Sequence, residues 1–222
     1  GKFKILDSKV KTKLKSITYG KGKYVVVGHD KTILVSKDAV DWERITIDLS
    51  SQYYLNSVAY GNDKFVIVGN NGSINWSDDG IHWESSGDHT FVNLNKVKFV
   101  NDVFIALGDA GEILISTNGV DWEKIILKKH MDNLYGVAFG KNMYVICGSQ
   151  GNIFVSQNAI AWRKINLGKK DLNDISFDGN NFVTVGEDGT RFVSSNANEW
   201  IDFSFHNLNS ISANKDVLFL GG

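Results

Sequence analysis

Proline is absent from this chain of 222 residues, where average usage of about 5% would place roughly eleven. With Lys, Asn and Ile abundant, the absence reads as the codon bias of an A/T-rich genome rather than a structural device. There is one cysteine, Cys147, so an intrachain disulfide and a thiolate metal cluster are both excluded. Its apolar setting, MYVICG, fits a small buried hydrophobe. No run approaches the roughly 18 apolar residues of a membrane span, and the lysine-dotted start GKFKILDSKVK lacks the apolar core of a signal peptide. An excess of one charge is missing too. The 24 Lys plus Arg nearly match 25 Asp plus Glu, which leaves no broad field for nucleic acid or an anionic membrane surface. Arginine is confined to Arg44, Arg163 and Arg191.

The chain does contain a repeat. A segment of the form Leu-x-x-apolar-x-aromatic recurs as LKSITYG from Leu14, LNSVAYG from Leu55, LNKVKFV from Leu94, LYGVAFG from Leu134, LNDISFD from Leu172 and, more loosely, LNSISAN from Leu208. Each is followed by a β-branched or aromatic run ending in Gly: KYVVVG, KFVIVG, VFIALG, MYVICG, NFVTVG and VLFLGG. Five then add a third run ending in Ser, namely KTILVS, SINWS, EILIS, NIFVS and RFVS. Short strands separated by turn-rich stretches mean an all-β sandwich, barrel or propeller, and a forty-residue self-similarity selects the four-stranded propeller blade.

The expected fold is therefore an all-β, six-bladed β-propeller with blades of up to four antiparallel strands, forming one domain over residues 1–222. The blades fall near 14–54, 55–93, 94–133, 134–171, 172–207, and 208–222 plus 1–13. The segment GKFKILDS at residues 1–8 reads like KTILVS and fits the vacancy after VLFLGG. The N-terminal strand is thus expected to pair with the C-terminal strands and close the ring, which removes exposed edges. The chain starts and stops inside a repeat, as an excised domain would.

After each third strand comes a signature of constant spacing: SKDAVDW, SDDGIHW, STNGVDW, SQNAIAW and SSNANEW. Its fixed positions are Ser36, Asp38 and Trp42; Ser77, Asp79 and Trp83; Ser116, Asn118 and Trp122; Ser156, Asn158 and Trp162; Ser194, Asn196 and Trp200. Ser, Asp and Asn suit a tight turn because their short polar side chains bond its backbone, and the tryptophan offers a large ring to the space between repeats. The signature resembles the Asp-box, or bacterial neuraminidase repeat, of the sialidase-like propellers, in its short bacterial variety. The resemblance covers essentially the whole chain. It departs from the pattern with Asn at positions 118, 158 and 196 and Ala at positions 39, 159 and 197. It implies that the box is a folding element away from the binding face, and it favours a secreted or cell-surface setting.

Sialidases of that family hold a carboxylate with three arginines around the central axis. Here Arg44 and Arg163 follow box tryptophans on outer strands and Arg191 lies on a third strand, so no axial triad is expected and the chain reads as a non-enzyme. Asp30, Asp109, Glu187 and Asp188, in the loops from second to third strand, are candidate glycosidase carboxylates, and equally ordinary turn residues. The histidines lack metal-ligand spacing, so neither a metal nor a cofactor is expected.

Function on repeat folds usually sits on the variable loops of one face. The connections between blades vary most, and they carry Tyr53, Tyr54, His89, Phe91, His130, Phe205 and His206. The innermost strands have small residues, except for Lys96 and Lys98 in the third repeat and Asp174 in the fifth. These ten residues form the candidate binding set. The expected function is a non-enzymatic, monomeric module that binds a protein or glycan through the interblade-loop face. A carbohydrate-active or lectin-like domain and a structural spacer are the alternatives.

Overall fold

The computed structural model describes residues 10–46, 54–87, 89–127, 132–204, 210–213 and 218–221. Five four-stranded antiparallel sheets run in chain order, each a simple meander. The first contains β1 (Leu14–Gly20), β2 (Lys23–Gly28), β3 (Ile33–Ser36) and β4 (Glu43–Ile45). The second contains β5 (Leu55–Gly61), β6 (Lys64–Gly69), β7 (Ile74–Ser77) and β8 (Glu84–Ser85). The third holds β9 (Leu94–Val100), β10 (Val103–Gly108), β11 (Glu112–Ser116) and β12 (Glu123–Ile126). The fourth holds β13 (Leu134–Gly140), β14 (Met143–Gly148), β15 (Asn152–Ser156) and β16 (Arg163–Asn166). The fifth holds β17 (Leu172–Phe177), β18 (Phe182–Gly186), β19 (Arg191–Ser194) and β20 (Ile201–Asp202). A two-stranded sheet of β21 (Ser210–Ala213) and β22 (Leu218–Gly221) follows. The proposed closing segment, residues 1–8, lies outside the described residues.

The first hairpin of four repeats turns through a pair of residues that both have positive φ: Lys21 and Gly22, Asn62 and Asp63, Asn101 and Asp102, Lys141 and Asn142. Positive φ at both central positions is the type I′ geometry, whose twist matches that of the flanking strands. The second hairpin uses the same left-handed pair in Asn71–Gly72, Ala110–Gly111, Gln150–Gly151 and Asp188–Gly189. In the second, fourth and fifth repeats a bulge at the second residue of the first strand, where register shifts after Leu55, Leu134 and Leu172, lets the carbonyl just before that strand reach across. Tyr54 O accepts from Asn70 N–H at 3.1 Å, Asn133 O from Ser149 N–H at 2.8 Å and Asp171 O from Glu187 N–H at 3.0 Å.

The chain divides into two compact units, Gly1–Ala106 with Ile115–Glu123, and Leu107–Leu114 with Lys124–Gly222. In the first, Val25, Val27, Ile33, Leu55, Val58, Phe65 and Ile67 form a buried cluster against which Tyr60 and Trp83 pack. In the second, Val145, Cys147, Ile153, Leu172, Ile175, Phe182 and Ala197 do the same, with Trp200 and Phe177 packed alongside. Cys147 is a fully buried free thiol.

Candidate functional site

The five Ser-x-Asx turns share one hydrogen-bond pattern. Each Ser Oγ donates to the Asx Oδ1 two residues on, at 2.9–3.3 Å. That Oδ1 then accepts the backbone N–H groups two and three residues further, as in Ile81 and His82 onto Asp79, both at 2.8 Å, or Val120 and Asp121 onto Asn118, both at 2.9 Å. Asparagine serves as well as aspartate in the turn itself because the backbone N–H groups use only Oδ1; Asp79 adds a contact through Oδ2, 2.7 Å from His82 Nδ1. The residue after the Asx is left-handed in every copy, at Ala39, Gly80, Gly119, Ala159 and Ala197. Ala159 and Ala197 offset part of the cost of that conformation by burying a methyl, whereas Ala39 is only half-buried. The outer strand starts one residue after each tryptophan rather than on it, at Glu43, Glu84, Glu123, Arg163 and Ile201.

These turns grip the preceding repeat. Lys23 Nζ donates to Asp79 O at 2.7 Å, Asn62 Nδ2 to Thr117 O at 3.0 Å and Lys141 Nζ to Ser195 O at 2.8 Å. Two grooves lie along them at equivalent repeat positions. One, of about 430 Å³, is lined by Trp42 with Asp38, Asp41 and Glu43. The other, of about 480 Å³, is lined by Trp162 with Asn158, Gln157 and Arg163.

Burial works against the charge of Asp79, but the backbone N–H and side chain of His82, the Ile81 N–H and the Ser77 hydroxyl together hold its carboxyl well below the usual value of 3.8. The N–H groups of Asp41 and Val40, with the Ser36 hydroxyl, lower Asp38 in the same direction. Such carboxylates contribute stability above the ordinary carboxylate range and lose it as pH falls through their depressed folded values. An Asp38→Asn/Asp79→Asn double variant keeps both Oδ1 acceptors. Its melting temperature is expected to stay near that of the parent at pH 7 and to fall less between pH 4 and pH 2; equal acid sensitivity in the two proteins would contradict this assignment.

At the opposite end of the sheets lie the second hairpins and the connections between repeats. Tyr54 is 41% exposed, forms an isolated bridge with His29 and meets its ring edge-on at 4.6 Å. Phe91 is 90% exposed. His89 is half-buried, with Nε2 3.0 Å from Ser86 O. Tyr53, His130, Phe205 and His206 lie outside the described residues. Lys96 and Lys98 line a cavity of about 250 Å³ between innermost strands. Asp174 is buried. Its Oδ1 accepts Ile175 N–H at 2.9 Å and packs where a Cβ on Gly136 would lie 2.9 Å away, so this glycine makes room for the carboxylate.

Of the loop carboxylates, Asp188 pairs with Lys170, while Glu187 Oε2 accepts Asp171 N–H at 3.4 Å. Asp30 contributes its carbonyl, 3.3 Å from an Arg44 nitrogen. Arg44 and Arg163 are on outer strands and Arg191 on a third strand. Among the described residues no group of three or more His, Cys, Asp or Glu is placed to hold a metal ion, and no helix is long and apolar enough to cross a membrane.

Sequence reasoning missed Asn93, Asn133 and Asp171. Each accepts, through Oδ1, the backbone N–H of the left-handed residue in the preceding second hairpin: Asn71 at 3.2 Å, Ala110 at 3.3 Å and Gln150 at 2.8 Å. The signal was present as an Asx directly before the repeat leucine in VNLN, DNLY and KDLN.

No protein-family model and no curated protein matches the chain. A solved structure described as YCF48 bound to D1 peptide aligns with a TM-score of 0.73 at 17% identity, over 94% of this chain and 75% of that one. At that identity the likeness shows the fold, a β-propeller.

Proposed function

We propose that this propeller is a non-catalytic module that binds a protein partner through the face formed by the second hairpins and the connections between repeats. The observation that carries the reading is Phe91. A phenylalanine 90% exposed on a connection, with the exposed Tyr54 on the preceding one, is an anchor for a partner's pocket, and aromatic anchors dominate interface energetics. The peptide bound to YCF48 is a precedent on the same fold. A photo-crosslinking amino acid placed at position 91 is expected to trap a discrete protein, while one at Ile160, on the box side, is not. The purified partner should then lose at least about tenfold in affinity on Phe91→Ala, roughly 1.4 kcal/mol. Equal trapping at both positions, or unchanged affinity, would sink the reading.

The Asp-box identity of the repeats and a six-bladed closed ring belong to the same proposal. Supporting closure, Ile17 is 57% exposed while its equivalents Val58, Val97, Val137 and Ile175 are buried. Leu14 and Tyr19, on the same strand, are 38% and 56% exposed. A last blade completed by residues 1–13 would cover this edge.

A second reading, a lectin-like module, draws on the paired tryptophan-walled grooves, because an indole face with a polar rim suits a sugar ring. A glycan array probed with the intact chain separates the two. Saturable binding blocked by substituting Arg163 and Glu43 favours the lectin, and a blank array leaves the protein partner.

A further inference from the structure

The third and fourth repeats each pair a lysine of the outer strand with a carboxylate. In the fourth, Lys164 Nζ lies 2.8 Å from Asp132 Oδ2 and 5.6 Å from the centre of the Phe154 ring. Asn152 Nδ2 donates to the other oxygen of Asp132 at 2.7 Å. In the third, Lys124 Nζ lies 2.7 Å from Glu112 Oε1. Both lysines stand two residues after a tryptophan, Trp122 or Trp162. In the fifth repeat that position carries the opposite charge. Phe192 pairs with Asp202 across the ladder as Phe154 pairs with Lys164, so Asp202 takes the place of the lysine. Thr190 replaces Asn152, and Lys170 replaces Asp132. Lys170 is paired with Asp188 of the second hairpin, which balances its charge. Beside the Phe192 ring there is a cavity of about 200 Å³, lined also by Thr190, Asp202 and Ser204 with Gly168 and Lys169 of the connection.

An ammonium placed beside an aromatic face and a carboxylate gains both the attraction of the ring and a charge-assisted hydrogen bond. The N–H and hydroxyl of Ser204 both donate to Asp202 Oδ1, which orients the carboxylate and leaves Oδ2 for a ligand. Lys169 is exposed at the rim and opposes a second cation, so an acidic residue next to the incoming ammonium would offset it. The space is below the roughly 300–1,000 Å³ of drug-sized pockets, which suits a single side chain. We infer that this cavity receives a lysine side chain of the protein partner, its ammonium set between Asp202 and the Phe192 ring as that of Lys164 is set between Asp132 and Phe154. The inference rests on the loop-face reading, because Thr190 and Lys169 belong to the second hairpin and the connection of that face.

The test is a titration of the intact chain with the blocked tetrapeptide Ala-Lys-Glu-Ala, read from its amide NMR signals. Saturable shifts are expected at Thr190, Phe192, Asp202 and Ser204, weakening as salt is added. The same peptide with norleucine in place of lysine, uncharged but nearly equal in length, should not saturate. Asp202→Asn keeps the Oδ1 acceptor for Ser204 and removes the charge, so its melting temperature should hold while affinity falls at least about tenfold. Glu199→Gln, an equal charge change at an exposed position in the Ser194 turn, should bind as the parent does. No saturable shift in the parent, equal binding of the norleucine peptide, or unchanged affinity in Asp202→Asn overturns the inference. The loop-face reading is decided separately, by the crosslink at position 91 on another connection. Peptide binding absent with that crosslink retained overturns this inference alone, and the reverse pattern overturns the loop-face anchor while leaving the lysine site supported.

Discussion

Gly186→Ala is expected to destabilise the protein by about 3 kcal/mol or more, the upper range for overpacking. At about 2–4 °C per kcal/mol for a chain of this size, that is a fall of roughly 6–12 °C in melting temperature. The new methyl would sit 2.0 Å from Asp171 O and 3.0 Å from the Asp171 carbonyl carbon. Neither atom can retreat without cost, because Asp171 O is the acceptor for Glu187 N–H. Gly69 and Gly148 stand in the same relation to Tyr54 O and Asn133 O, each at 2.3 Å. Space, not backbone freedom, demands glycine here. Gly22→Ala is the control: its φ is +74° and nothing lies within 4 Å of the added carbon. It should cost only the left-handed penalty of about 1–2 kcal/mol. Equal losses in the two variants would show that carbonyl crowding is not the cause.

Phe182→Ala should cost about 3–5 kcal/mol, as expected for truncating a buried aromatic ring. Phe182 is fully buried among Leu172, Ile175 and Val145, and its ring lies 4.8 Å from that of Phe177. Phe177 is in turn seated over Gly140, where an added Cβ would come within 2.4 Å of it. Phe177, held against Gly140, therefore opposes collapse into the cavity, which puts this site toward the costly end. Phe182→Leu should recover most of the loss. Urea unfolding would show a lower midpoint with an unchanged slope, whereas a lower slope would mean that the native state itself had loosened.

The meander was legible because each strand carries its own signature. The leucine that opens the first strand is fully buried at positions 55, 94, 134 and 172, and the glycine that ends the second has a steric role that recurs. The Ser-x-Asx turns were legible because Ser and Asx spacing is a local property of the chain. Less could be read where long-range packing decides. Nothing about Leu14 in the sequence distinguishes it from the four buried leucines, yet it is exposed. The grooves beside Trp42 and Trp162 arise between one repeat's outer strand and the next repeat's turn, a pairing that no window of sequence displays. Asn93, Asn133 and Asp171 take their role from a backbone N–H in the preceding hairpin, a pairing that only the fold brings about. Lys96 and Lys98 were legible because, Asp174 of the fifth repeat aside, small residues occupy those positions in the other repeats.

The hydrogen bond from hairpin to connection has a consequence for how such chains lengthen or shorten. Asn71 and Asn93 both belong to the segment 55–93, Ala110 and Asn133 to 94–133, and Gln150 and Asp171 to 134–171. Donor and acceptor travel together, so a duplication cut at the repeat leucine copies the whole joint. A newly inserted segment thus arrives with its own hairpin-to-connection bond. Gene-level gain or loss of single repeats leaves this bond intact in every copy that carries both partners.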